Sequence, residues 1–104
     1  MNNIYLGNAF SLQMVDSQSY HLSVQEVTPV EVGSADFMSC IGHVDTAAVV
    51  STIIGKEVPM NRVNVSLEKG DTLYVAQVVG GRLPEGTTTL PEGFEIVFRK
   101  VELV

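Results

Sequence analysis

The chain has 104 residues, is 45% hydrophobic, lacks Trp and carries a formal net charge of −6. That length fits one domain, residues 1–104, with a single core. The acidic balance excludes a sequence-independent grip on long DNA or RNA and adsorption to an anionic membrane, both of which need many cations; a small anion held by a few placed groups stays possible.

Met1–Tyr5 has neither a basic segment nor a long apolar run, so no secretory leader is expected. Ile4-Tyr5-Leu6 reads as a first strand ended by Gly7-Asn8. His21–Val27 alternates Leu22 and Val24 against Ser23 and Gln25, a second strand that Thr28-Pro29 breaks. Ser34–Ile41 reads as a short helix, with Ser34 as N-cap and Gly42 as stop. Thr46–Ile54 is the clearest helix: Asp45 is placed to cap it, Ala47 and Ala48 favour it, and Gly55 suits a left-handed end. The chain's longest apolar-leaning run, Ala47–Ile54, is far too short to span a membrane.

Arg62–Leu67 alternates strictly, with Val63, Val65 and Leu67 on one side, and predicts a strand. Glu68–Asp71 is a turn, and Gly70 suits its positive φ. Thr72–Val79 is apolar on both faces, which predicts a central strand, paired with the preceding one as a hairpin that Gly80-Gly81 ends. Arg82–Pro91 is loop, and Phe94–Glu102 is a last strand with Phe94, Ile96 and Phe98 on one face. The sum is an α/β fold: a mixed sheet of about five strands with flanking helices.

Cys40 is the only cysteine, so no intramolecular disulfide or four-thiolate zinc site can form. A reduced cytoplasm is the expected location, and Cys40 reads as a small buried hydrophobe. There is no phosphate loop, dinucleotide fingerprint or serine elbow. His21 and His43 lack companion ligands at zinc spacing, so neither a metal nor a cofactor is expected.

His43 follows Gly42 at the entry to the clearest helix, beside free backbone N–H groups and the positive end of the helix dipole. A phosphate is stabilised there, and an imidazole beside it can protonate a leaving oxygen. Taken singly, His43 reads first as a helix-entry residue, and Arg62 as a solvated charge. Arg82 and Glu85 are equally a surface ion pair of small value. Asn8-Ala9-Phe10-Ser11 follows a strand, where α/β folds line their crevices.

In order, the chain carries Asn8-Ala9-Phe10-Ser11, Ile41-Gly42-His43, Asn61-Arg62-Val63, Leu67-Glu68-Lys69-Gly70-Asp71, Leu73-Tyr74-Val75, Gln77, and Arg82-Leu83-x-Glu85-Gly86. From about residue 2 to residue 86 this set resembles the viral type III anti-CRISPR ring nucleases. The resemblance implies a compact homodimer with a pocket across the two-fold axis. It implies binding of cyclic tetra-adenylate and metal-independent cleavage to linear di-adenylate, which silences type III CRISPR signalling. By the same resemblance, His43 matches the catalytic histidine. Gly42, Arg62, Gln77, Arg82 and Glu85 match ligand-contacting positions, and Asn8, Ala9, Phe10 and Ser11 the loop lining the pocket. Two positions depart from the pattern: Asp45 stands where a hydroxyl is common, and Gly80-Gly81 lengthens the step from Gln77 to Arg82. A non-cleaving cyclic-nucleotide sponge or sensor, and a protein-interaction adaptor, are the other readings.

Overall fold

The computed structural model describes residues 3–15 and 21–104. Met1 and Asn2, part of the leader reading, lie outside the described residues. In chain order the elements are β1 (Ile4–Gly7), a 3-10 turn (Leu12–Met14), β2 (Leu22–Glu26), α1 (Pro29–Ser34), β3 (Met38–Ser39), α2 (Val44–Ile54), β4 (Thr72–Val79) and β5 (Glu95–Leu103). They build one five-stranded sheet in the order β2-β5-β4-β1-β3. β1 runs parallel to both β3 and β4, while β5 is antiparallel to β4 and β2, so the sheet is mixed as expected.

β4 is central because its two faces feed two cores. On one face Leu6, Tyr74, Ala76 and Phe98 pack with Val32 of α1 and Ala47 and Val50 of α2. On the other, Leu73, Val75, Val101 and Leu103 pack with Leu67 and with the partly buried Phe10, Met14, Val15 and Val65. Both helices therefore cover one face, and irregular chain covers the other. A strand buried on both faces loses the polar alternation that one-sided strands keep, which is what the Thr72–Val79 pattern shows.

Three sequence expectations are corrected. Ser34–Ile41 is not a helix. The helix lies one step earlier, because Thr28 Oγ1 accepts the Glu31 N–H at 3.2 Å and Pro29 pre-sets the first helical φ. Ser34 ends it, its hydroxyl donating to the Val30 carbonyl at 2.8 Å, and Met38–Ser39 is free to pair with β1. The cap of α2 is His43, not Asp45, which sits in the first turn; Gly55 does end the helix in the left-handed region at φ 70°. Arg62–Leu67 forms no strand and no hairpin with β4. β1 and β5 already occupy both sides of β4, so the segment packs Val65 and Leu67 on the second core, and an isolated bridge outside the sheet joins Leu67 to Val15.

His21 is exposed and its carbonyl accepts the Val104 N–H at 2.9 Å, a strand-start role. Cys40 is half-buried against the second core, and burial pushes its thiol pKa up. Among the described residues no helix is long and apolar enough to cross a membrane.

Candidate functional site

The carboxyl ends of β1 and β4 open on the same side as the start of α2. In open α/β sheets ligands collect outside the carboxyl ends of the strands. Here that space is a cavity of about 520 Å³. Asn8 after β1, Gln77 on β4, His43, Asp45 and Thr46 at the start of α2, and Arg82 and Glu85 in the loop after β4 all line it. Three chain-distant segments therefore converge, and five residues singled out from the sequence share one wall system.

The turn that presents His43 is braced from both sides. Asn8 Oδ1 accepts the Gly42 N–H at 3.3 Å. Arg62 donates to the Gly42 carbonyl from Nε at 3.2 Å and from Nη2 at 3.0 Å. A Cβ on Gly42 would stand 3.3 Å from Arg62 Nε, so glycine is what lets the guanidinium lie so close. Arg62 thus acts behind the cavity wall, holding the backbone beside His43, rather than lining the cavity.

His43 is exposed, and its backbone carbonyl accepts the Ala47 N–H at 3.0 Å to begin α2. Its imidazole makes no capping bond, so the first-turn amides are left to solvent or a ligand, at the positive end of the helix dipole. Asp45 Oδ1 is turned to the loop, where it accepts the Gly86 N–H at 3.1 Å.

A smaller groove of about 320 Å³ adjoins the first, sharing Asn8 and Gln77 with it. Ala9 and Phe10 line this groove with Val24, Val75, Val101 and Arg99. Arg99 Nη1 donates to Gln77 Oε1 at 2.9 Å, which fixes the amide on the wall between the two spaces. Arg99 escaped the sequence reading. The signal was the alternation of the last strand, which sets residue 99 on the face opposite Phe98, beside Val75 in register. Ser11 joins neither space; it caps the 3-10 turn, its carbonyl accepting the Met14 N–H at 3.0 Å. Among the described residues no three His, Cys, Asp or Glu side chains gather as a metal site.

A model of the STIV B116-like family matches residues 4–98. The chain belongs to the STIV B116-like family. A relative in a Sulfolobus islandicus filamentous virus (isolate Iceland/Hveragerdi), called Uncharacterized protein 26, is 31% identical over 87 residues, which cover 80% of this chain and 73% of that one. B116 of Sulfolobus turreted icosahedral virus has a solved structure that superposes with a TM-score of 0.79 at 23% identity, over 97% of this chain and 99% of that one. At that identity the likeness to B116 is one of fold. Both relatives are proteins of Sulfolobus viruses, so the family is a viral one.

Proposed function

We propose that the chain is a metal-independent ring nuclease that binds cyclic tetra-adenylate in the host cytoplasm, cuts it to linear di-adenylate, and so switches off type III CRISPR signalling. The observation that carries this reading is the convergence of Asn8, His43, Gln77, Arg82 and Glu85 on one cavity at the start of a helix. A cyclic tetranucleotide carries four phosphates, few enough for a chain of net charge −6 to hold with placed groups. Amides at the start of α2 and the Arg82 guanidinium supply positive potential, and Asn8 and Gln77 supply amide donors and acceptors for base edges or ribose hydroxyls.

In the reaction a ribose 2′-hydroxyl attacks the adjacent phosphorus. The O2′–P bond forms, the P–O5′ bond breaks, and the hydroxyl proton passes to solvent. Protonated His43 gives its proton to the departing 5′-oxygen, a contribution of roughly 10²–10⁴ in rate. Two such cuts release two di-adenylates, each ending in a 2′,3′-cyclic phosphate. The two-fold symmetry of the ring suits a homodimer in which each subunit offers the same groups to opposite phosphates.

The test is a single-turnover assay in EDTA with labelled cyclic tri-, tetra- and hexa-adenylate. Conversion of the tetramer to di-adenylate with a cyclic phosphate end is expected. His43→Ala is expected to slow cutting by at least about a hundredfold while the variant still binds the ring. Cleavage by the variant at the parental rate would remove His43 from its role. Recovery of intact but bound rings would make the protein a sponge.

A further inference from the structure

The loop after β4 is fastened to α2 at two points. Asp45 Oδ1 accepts the Gly86 N–H at 3.1 Å, and Thr52 Oγ1 donates to the Thr88 carbonyl at 2.8 Å. Asp45 and Thr52 are seven residues apart, two helical turns, and so lie on one face of α2. Residues 86–88 therefore run along that face. The stretch between the strap and β4 carries Arg82 and Glu85, both lining the cavity. It is bracketed by glycines in conformations that L side chains rarely adopt: Gly80 at φ 120° and Gly81 at φ 121° on one side, Gly86 at φ 81° on the other. Glycine-hinged chain has many conformations open to it, so its side chains hold one place only if its ends are tied. One end is tied by β4 and the other by α2, the helix that starts at His43.

We propose that Asp45 and Thr52 are positioning residues: the strap they form sets Arg82 and Glu85 over the cavity in register with His43. The inference rests on the ring-nuclease reading for its substrate. It also gives Asp45 a reason to stand where a hydroxyl is common among the proteins that this sequence resembles. Its carboxylate is directed at a loop amide, and its first-turn position is favoured by the helix dipole.

Three substitutions test the strap. Asp45→Ala removes the acceptor, and Asp45→Asn keeps an Oδ1 without the charge. Thr52→Val removes the hydroxyl donor at a residue that does not line the cavity. Amide hydrogen exchange is read first, without nucleotide. Asp45→Ala and Thr52→Val are expected to speed exchange across residues 86–88 roughly three- to tenfold, the loss of one modest hydrogen bond, with Asp45→Asn recovering most of the protection. Single-turnover cleavage of cyclic tetra-adenylate is read second. Asp45→Ala and Thr52→Val are expected to raise the half-saturating concentration by a similar factor. For Thr52→Val the rate at saturation should stay within about twofold, because His43 and the cavity lining are untouched, and Asp45→Asn should restore binding.

Unchanged exchange in both Asp45→Ala and Thr52→Val would overturn the strap. Faster exchange with unchanged half-saturation would overturn the positioning role. Loss in Asp45→Asn equal to that in Asp45→Ala would overturn the hydrogen-bonded strap at Asp45, since the acceptor is retained and only the charge is gone. If the parental chain leaves every ring uncut and unbound, the ring-nuclease reading falls and takes the positioning role with it, while the exchange data still decide whether the strap exists.

Discussion

Asp71 is a carboxylate with 2% of its surface exposed, a costly placement for a charge unless every oxygen is occupied. Both are: Oδ1 accepts the Asn3 N–H and Oδ2 the Glu68 N–H, each at 2.9 Å. One side chain thus closes the Glu68–Asp71 turn and ties down the approach to β1, whose carboxyl end carries Asn8. Asp71→Ala leaves two amides without partners, and a loss of about 2–3 kcal/mol is expected in urea unfolding. In a thermal melt the same change is a fall of roughly 10 °C or more. Tyr74 is the second residue with a measurable consequence. Burial, then the hydrogen bond its hydroxyl donates to Glu31 Oε2 at 3.1 Å, then the charges of Glu31 and Glu102, push its pKa from 10.0 up to about 12. The raised value means that the fold favours the neutral phenol. This stabilisation is whole below pH 10 and is lost as pH climbs from 10 through 12. Tyr74→Phe should flatten that alkaline fall in stability, seen by comparing urea midpoints of the two proteins at pH 9 and pH 11.5.

Elements in this fold are set by what each one packs against, and Gly33 shows how tightly. A Cβ there would stand 2.9 Å from the Ile54 carbonyl oxygen, so α1 rests on the end of α2 through a bare backbone. Helix propensity alone would make Gly33→Ala stabilising by up to about 1 kcal/mol. The backbone contact reverses the sign, and a net loss of about 1–3 kcal/mol is expected in denaturant unfolding. The same dependence on packing decides what the sequence could show. β1, β4, β5 and α2 were legible because their patterns record burial directly: two apolar faces for Thr72–Val79, Ile96 and Phe98 on one face of Glu95–Leu103 with Val101 and Leu103 on the other, an apolar stripe and a closing Gly55 for α2. Arg62–Leu67 alternates as well as any strand but finds no free edge on β4, the strand it precedes, since β1 and β5 flank it. The helix at Pro29–Ser34 hid behind a proline read as a break, although Thr28-Pro29 is also a start signal. At the site, the segments were legible one by one. Contacts between them, Asp45 with Gly86 or Gln77 with Arg99, depend on sheet register and loop closure, which no local pattern carries.

At the scale of the whole molecule, apolar side chains stand exposed next in the chain to two residues of the site. Val44 is 64% exposed next to His43, and Val63 is 46% exposed next to Arg62. Met38 and Met60 are exposed on the two segments that lead there, which are joined by Ser39 Oγ donating to the Pro59 carbonyl at 2.6 Å and by Asn61 N–H donating to the Ile41 carbonyl at 2.8 Å. In the proposed homodimer this is the face that a second copy would cover, bringing a second His43 to the opposite side of a two-fold ring. Sedimentation equilibrium should then give twice the chain mass of 11.2 kDa. Val44→Glu paired with Val63→Glu should shift the mass toward one chain and slow ring cleavage together. The helix tolerates a carboxylate at residue 44, because negative charge in a first turn is favourable, so a fall in both readouts with unchanged helix content would locate the effect in the interface. A double variant that stays at twice the chain mass would place the two-fold contact on another face. A parental protein that sediments as a single chain and still cuts the ring would mean that one His43 suffices.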